Sequence, residues 1–297
     1  MILVFGSINI DVLMPVPHLP APGETVLGGD YVLAPGGKGA NQALAAHRAG
    51  AKVMMAGAVG GDGFAAAALE LLERHGVDLG LVRRVSAPTG CATVLIGADG
   101  ENLIAVASGA NAAVRAADVP DALLGPATVL VCQMEVPPAE TAALIRRARR
   151  RRARVMLNLA PALPLEPGLL ADIDVLVANW GEAATLGQQE AAATRLRAAL
   201  VVTEGAAGAT AYLADGARIV VPALAIEPVD TTGAGDAFVG VLAAALDQGL
   251  ALAPALHRAS AAAGLACLGR GAQPALPDRT AIDAALARLP APRRIPS

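Results

Sequence analysis

The run Asp230-Thr231-Thr232-Gly233-Ala234-Gly235-Asp236, followed by the apolar stretch Ala237–Leu246, combines residue types that could transfer a phosphoryl group. Two glycines let the backbone turn sharply into a helix and approach a ligand closely. The first N–H groups of that helix have no intrahelical partner and lie at the positive end of its dipole, so the turn can cradle phosphate oxygens. Asp236, in the first turn, is expected to stay ionised there and to accept a proton from a hydroxyl nucleophile. An anion cradle beside a base is the arrangement that phosphoryl transfer requires. An acidic helix cap after a Gly turn has the same composition, so these residues alone leave both readings open.

A second constellation is Gly36-Gly37-Lys38-Gly39-Ala40-Asn41-Gln42. Its glycines free backbone N–H groups, Lys38 supplies a cation, and Asn41 offers both a donor and an acceptor. Such a set can bind a polyol or help hold a transferring phosphate. The third is Asn9 with Asp11, just beyond the first apolar run, where ligands of open α/β sheets bind. Two standard nucleotide signatures fail. A Walker A loop needs Ser or Thr after Gly-Lys, but Gly39 follows Lys38. The first strand runs into Gly6-Ser7-Ile8-Asn9 without the dinucleotide GxGxxG pattern.

These residues need elements to position them. Apolar runs at Ile2–Gly6, Val53–Ala58, Thr128–Met134, Val155–Leu159, Val175–Ala178 and Leu200–Thr203 read as buried strands. Helical stretches alternate with them at Asn41–Ala49, Phe64–His75 and Pro138–Arg152, the first two closed by Gly50 and Gly76. This alternation predicts an α/β fold: a doubly wound, mostly parallel sheet flanked by helices. Cys91–Ile96 and Asn102–Ala107 flank an Asp-Gly turn and predict a hairpin. With the extended, Pro- and Gly-punctuated segment Val12–Leu33 they predict a small antiparallel β lid, from about 12–33 and 91–107. A second hairpin is expected at Thr210–Ala214 and Arg218–Val221. The last third reads as helices at Ala234–Gln248, Leu252–Leu268 and Thr280–Leu289. With no repeat or low-complexity linker, 1–297 is expected to be one continuous domain carrying the lid.

Composition narrows the function. Hydrophobic residues make up 55% and charged ones 16%, too apolar for a disordered chain. Mean hydropathy is +0.52, yet the longest stretch free of charge, Val85–Ala98, is short of the about 20 apolar residues a spanning helix needs. No membrane association is expected. The start MILVFGSIN has no basic region ahead of its apolar stretch, so no signal peptide is expected. Cys91, Cys132 and Cys267 are scattered without CxxC spacing, which fits a reducing cytoplasm better than a disulfide framework or a zinc site. With a net charge of −3, three Phe, one Trp and two Tyr, the chain lacks a stacking platform for nucleic acid, and no such partner is expected. The arginine run Arg146, Arg147, Arg149–Arg152 and Arg154 reads first as the solvated C-terminal end of a helix, and second as a polyanion patch.

Taken in order, Gly6–Asp11, Pro22-Gly23-Glu24-Thr25, Gly36–Asn41, Asn158-Leu159-Ala160-Pro161-Ala162, Asn179 with Glu182, Asp230–Asp236 and Gly271-Ala272-Gln273-Pro274 resemble the PfkB family of carbohydrate kinases. The resemblance spans roughly Ile2 to Leu289 and implies Mg·ATP-dependent transfer to a sugar's primary hydroxyl. It makes Asp236 the catalytic base and the Gly233, Ala234 and Gly235 backbone the anion hole. Asn9, Asp11, Gly37, Lys38, Gly39, Ala40, Asn41 and Glu135 would hold the sugar together with Asp236. Asn179 and the turn Thr203, Glu204, Gly205, Ala206, Ala207 and Gly208 would contact ATP, with Ser260 toward the adenine. Glu182 would orient Mg²⁺ through water. A monovalent-cation (K⁺) site would be formed by Asp230, Thr232, Ala266, Gly269, Gly271 and Ala275.

The chain departs from that pattern in places. Ala275 stands where relatives often have Ser, and Ser260 where many have Asn or His. The stretch Gly187–Ala199 is short. The lid would close over the acceptor against water, and in relatives two lids pack together, so a homodimer is expected. The implied reaction is phosphorylation of D-ribose at its 5-hydroxyl to give D-ribose 5-phosphate and ADP. A sister kinase for deoxyribose, fructose, a keto-sugar acid or a nucleoside, and a non-catalytic sugar or nucleotide sensor, are the alternatives.

Overall fold

Every side chain of Ile2-Leu3-Val4-Phe5 is buried, as expected of a strand in a parallel sheet whose two faces are both covered by helices. The computed structural model describes residues 1–297. In chain order the elements begin with β1 (Ile2–Phe5), β2 (Asn9–Pro15), β3 (Val32–Gly36), α1 (Lys38–Arg48), β4 (Val53–Gly60), α2 (Gly63–His75) and β5 (Asp78–Val85). The pair β6 (Gly90–Ile96) and β7 (Asn102–Ala107) follows, then β8 (Val129–Cys132), α3 (Pro138–Arg150), β9 (Arg154–Asn158) and β10 (Val175–Asn179). Short helices α4 (Trp180–Ala184) and α5 (Gln189–Ala193) precede β11 (Ala199–Thr203), β12 (Ala209–Leu213) and β13 (Arg218–Val221). The chain finishes with α6 (Ala234–Asp247), α7 (Leu252–Ala266), α8 (Arg279–Leu286) and β14 (Arg293–Ile295).

The main sheet has the order β14-β13-β12-β11-β10-β9-β8-β1-β4-β5. All pairs from β11 through β5 are parallel, and β11 to β14 are antiparallel. One face packs the alanine-rich sides of α1, α2, α6 and α7. The other packs α3, α4 and α5. The sheet is therefore doubly wound and mostly parallel, as its alternating sequence predicts. Asp62 caps α2 by accepting from the N–H groups of Phe64 and Ala65, and Gly76 ends it at φ 80°.

The second sheet has four strands in the order β3-β2-β6-β7. Within it β2 pairs antiparallel with β3 and β6 antiparallel with β7. The two antiparallel pairs of the expected lid join along a parallel β2–β6 seam, which the sequence reading does not foresee. Of the expected extended segment 12–33 only its ends are strand; Val16–Tyr31 lies outside any strand.

Two strands escaped the sequence reading. β5 carries Asp78, Arg83 and Arg84 on an edge of the main sheet, so half its pattern is exposed and no continuous apolar run marks it. β14 is a three-residue edge strand, too short to show any period. The arginine run takes the first of its two readings. Its members up to Arg152 close α3 and the turn after it, where cations complement the dipole, and Arg154 opens β9. Arg147 donates to the carbonyls of Ala116 and Val119 and to Asp121, while Arg151 also pairs with Asp121 and Arg146 with Glu166.

Candidate active site

Two glycines allow α1 to begin against the carboxyl end of β1. Gly37 sits at φ 88°, and a Cβ there would lie 2.8 Å from the backbone nitrogen of Asn9. A Cβ on Gly39 would lie 2.6 Å from the nitrogen of Ser7, so only glycine lets the two backbones approach this closely. The N–H of Ala40 then donates to the Ser7 carbonyl at 2.9 Å. Helix α1 therefore starts at Lys38, three residues before the sequence suggested, because its glycines conceal the first turn.

This packing gathers an acidic set around one lysine. Ser7 donates its hydroxyl to Glu135 Oε2 at 2.5 Å, and the backbone N–H of Lys38 donates to the same oxygen at 3.1 Å. Burial opposes the charge on the Lys38 ammonium, but Asp236, Glu135, Glu182 and Asp11 together outweigh it and raise its pKa. Asp11, on β2, is pushed up to about 6 by burial and then by Glu135 and Asp236, with Lys38 pulling the other way. Asn9, Asp11, Lys38, Asn41, Glu135 and Asp236 thus converge from four separate parts of the chain.

Asp236 is buried, with 7% of its surface exposed. Asn41 Nδ2 donates to its Oδ2 at 2.9 Å, and Gln42 Nε2 donates to its Oδ1 at 2.8 Å. Influences besides the helix end act on this carboxylate. Burial is the largest influence and raises its pKa, against Lys38 and the hydrogen bonds from Asn41 and Gln42, which lower it. That combination suits a group that must take up a proton during a reaction.

The turn before α6 leaves amides open. Gly233 is at φ 78°, and a Cβ on it would lie 2.8 Å from the Cα of Ala272. A Cβ on Gly235 would meet nothing within 4 Å, so that side of the turn faces free space. No protein acceptor meets the N–H of Gly235 or of Asp236, whereas that of Ala234 donates to Thr231 O at 3.2 Å. Within the expected anion hole at 233–235, the N–H of Gly233 likewise meets no protein acceptor. Ala234 has spent its N–H within the turn, and the open donors of the first helical turn include Gly235 and Asp236.

Two cavities adjoin these groups. One, of about 370 Å³, is lined by Asn9, Asn111, Glu135, Met134 and Val106 of β7, among others. The other, of about 460 Å³, is lined by Asn179, Trp180, Thr203, Glu204, Gly205 and Ala207 together with Gly181. Asn179 and Glu182 form a reciprocal cap on α4. Glu182 N–H donates to Asn179 Oδ1 and Asn179 N–H to Glu182 Oε2, both at 2.8 Å. This leaves Asn179 Nδ2 and Glu182 Oε1 available. Ala206 and Gly208 complete the turn without lining the cavity. Gly208, at φ 99°, is where a Cβ would strike Val221 O at 2.0 Å. Ser260 is corrected too: its hydroxyl is buried and donates to Pro222 O at 2.6 Å, so its proton is not free for a nucleotide.

The residues expected around a monovalent cation fall into two adjoining loops. Asp230 accepts from Thr232 N–H at 2.9 Å and from Gly271 N–H at 2.8 Å. Burial opposes the charge on Asp230, but hydrogen bonds from Thr232 and Gly271, with Arg270, hold its carboxyl below the ordinary range. Val229 N–H donates to Cys267 O at 2.8 Å. Ala275 packs close to Gly269, whose hypothetical Cβ would lie 2.8 Å from that of Ala275.

Four residues in this neighbourhood carried no role in the sequence reading. Ser7 holds Glu135, Gln42 holds Asp236, Asn111 holds Asn9 at 2.7 Å, and Trp180 stands 59% exposed at the larger cavity. Trp180 had a signal as the sole tryptophan of the chain, and Gln42 stood inside the glycine-rich motif of 36–42.

Comparison with known proteins then supplies a lineage. The pattern of the pfkB family carbohydrate kinases matches residues 1–279. The chain is 35% identical over 287 residues to a ribokinase of Bacillus subtilis, covering 95% of this chain and 98% of that one. The crystal structure of a Thermotoga maritima ribokinase superposes with a TM-score of 0.89 at 30% identity, covering 97% and 99%. An Arabidopsis thaliana ribokinase solved with ribose and ATP gives 0.88 at 29% identity, covering 96% and 98%.

Proposed function

The chain belongs to the pfkB family of carbohydrate kinases, and from that premise we infer that it transfers the γ-phosphoryl group of ATP to the 5-hydroxyl of D-ribose. The products are D-ribose 5-phosphate and ADP. The observation that carries the phosphotransfer is the pairing of a buried carboxylate, Asp236, with open backbone N–H groups in its own helical turn. In the reaction Asp236 takes the hydroxyl proton as the sugar oxygen attacks phosphorus. The amides of Gly235 and Asp236 and the ammonium of Lys38 receive the charge on the transferring group.

In this reading the sugar lies against Asn9, Asp11, Gly37, Gly39, Asn41 and Glu135, beneath the small sheet. The nucleotide occupies the cavity of Asn179 and the Thr203–Ala207 turn. Phosphoryl transfer to a sugar competes with transfer to water, and a sheet that closes over the acceptor excludes the competitor. We therefore read β2, β3, β6 and β7 as a lid on a single kinase domain.

Mg²⁺ fits Glu182, whose Oε1 is left free by the cap and whose charge acts on Lys38; when bound it would neutralise phosphate oxygens. A monovalent cation fits Asp230 and the carbonyls near Thr232, Ala266, Gly269 and Gly271, an all-oxygen donor set held by the Asp230–Gly271 hydrogen bond. There it would steady the loop that carries the open amides. Ala275 offers only a methyl at its position. No helix of the chain is long and apolar enough to cross a membrane.

A panel of pentoses, hexoses and nucleosides assayed with ATP tests the substrate. Ribose is expected to give the highest kcat/KM, and a nucleoside that exceeded it by a wide margin would overturn the assignment.

A further inference from the structure

The Gln42 amide is buried, and both of its N–H donors and its oxygen are engaged. Its Nε2 donates one proton to Asp236 Oδ1 at 2.8 Å and the other to Asn158 Oδ1 at 3.0 Å. Its Oε1 accepts from Gln133 Nε2 at 2.6 Å. Asn158 in turn donates to the Val177 carbonyl at 3.2 Å. Each partner has the right sense. A flipped Gln42 amide would set its oxygen against a carboxylate and its NH₂ against the Gln133 donor, leaving buried groups unpaired.

The neighbouring amide behaves differently. Asn41 donates to the other carboxylate oxygen, Oδ2, at 2.9 Å, but its own Oδ1 is buried without a partner. Nothing beyond that one bond holds the Asn41 amide, whereas three bonds lock the Gln42 amide. The lock reaches the carboxyl ends of the central strands. Gln133 follows β8, Asn158 ends β9 and Val177 lies in β10.

We propose that Gln42 is a positioning residue for Asp236: it pins Oδ1 to the sheet so that Oδ2, where Asn41 can yield, is the oxygen that receives the sugar proton. This rests on reading Asp236 as the base. A carboxylate fixed about its last bond needs no reorganisation when the hydroxyl arrives, and loosening it lowers the share of productive encounters. Gln42 touches no substrate in this account and acts only through Asp236.

The charged groups that face Asp236 are Lys38 at the start of α1, Glu135 after β8 and Asp11 on β2. With these unchanged, removing the Gln42 donor withdraws a hydrogen bond that is stronger to the ionised carboxylate than to the neutral acid, whose Oδ1 still accepts it. The base then titrates at higher pH.

The test compares Gln42→Met, Gln133→Met and Asp236→Asn by pH-dependent steady-state kinetics and thermal melting. Gln133→Met leaves Gln42 in place and removes only the donor that locks it, so it serves if Gln42→Met does not fold. Gln42→Met is expected to lower kcat about tenfold, keep the sugar KM within about twofold, and move the acid limb of kcat up by about one pH unit. Gln133→Met is expected to do the same to a smaller degree. A lower melting temperature with an unmoved acid limb in both variants, or in Gln133→Met alone if Gln42→Met does not fold, would mean that Gln42 serves packing only, and would overturn the proposal. Undiminished turnover in Asp236→Asn would instead remove the base assignment itself, which separates the two failures.

Discussion

Asn9 and Asn111, 102 residues apart, meet side chain to side chain, with Asn111 Nδ2 donating to Asn9 Oδ1 at 2.7 Å. Asn111 also accepts the N–H of Ile8 at 2.9 Å, so it fixes both the side chain and the incoming backbone at Asn9, a position proposed to bind the sugar. A Cβ on Gly90 would lie 2.3 Å from each of the two bonded atoms, which is why β6 begins with glycine. Asn111→Ala leaves the Ile8 N–H without its buried acceptor and is expected to cost about 1–3 kcal/mol of stability. It should raise the KM for ribose about tenfold and leave the KM for ATP unchanged, as initial-rate measurements would show.

With Asp11 proposed to hold the sugar, binding is expected to depend on pH. Its folded pKa of about 6 lies above the ordinary carboxylate value, through burial and then Glu135 and Asp236. Sugar hydroxyls bond more strongly to the ionised carboxylate than to the neutral acid, so titration calorimetry should find ribose binding weakening as pH falls below about 6. The stability effect has the opposite sense. A raised acid pKa costs the folded state stability as pH rises through roughly 4 to 6, and the cost stays constant above that window. Asp11→Asn should therefore melt higher than the parent at pH 8 and gain little at pH 4, while losing most of its affinity for ribose.

Trp180 is the only tryptophan of the chain and lines the larger cavity. Adding ATP should change the intrinsic emission saturably, with a midpoint that matches the binding constant from calorimetry. Trp180→Ala should raise the KM for ATP about tenfold, within the roughly 1–3 kcal/mol that a base gains on an aromatic face, and leave that for ribose alone. Emission that ignores ATP would detach this cavity from the nucleotide.

The small sheet leaves Val32, Leu103, Ile104 and Val106 exposed, with Leu27 on the preceding loop. Apolar patches of this kind mark an interface, and a second copy of the chain is the occupant expected here. Sedimentation should give a dimer, and Ile104→Lys, on β7, should shift it toward monomer. A parent protein that is monomeric at all accessible concentrations would contradict this reading.

The fold was legible where burial enforces an unbroken pattern. β1, β8 and β10 read as continuous apolar runs because both sheet faces are covered. β5 did not, since an edge strand keeps its charges. The site was legible where chemistry concentrates in a glycine turn, as at Gly36–Asn41 and Asp230–Asp236. Asn111, Ser7 and Gln133 were not, because an amide or hydroxyl that serves another side chain has no local signature. Gln42 stood inside a motif already singled out, yet its role depends on Asn158 and Gln133, which only the sheet order brings to it. The raised pKa of Asp236 was likewise invisible. The helix end can be read from sequence, but the depth of burial cannot.

Phosphoryl transfer to ribose by way of the Asp236 carboxylate is tested most directly by comparing turnover and ribose affinity in Asp236→Asn. The substitution keeps the shape and removes the proton acceptor, so kcat should fall about 10²–10⁴-fold while calorimetry still detects ribose. An Asp236→Asn enzyme that phosphorylates ribose at the parent's rate would contradict the account.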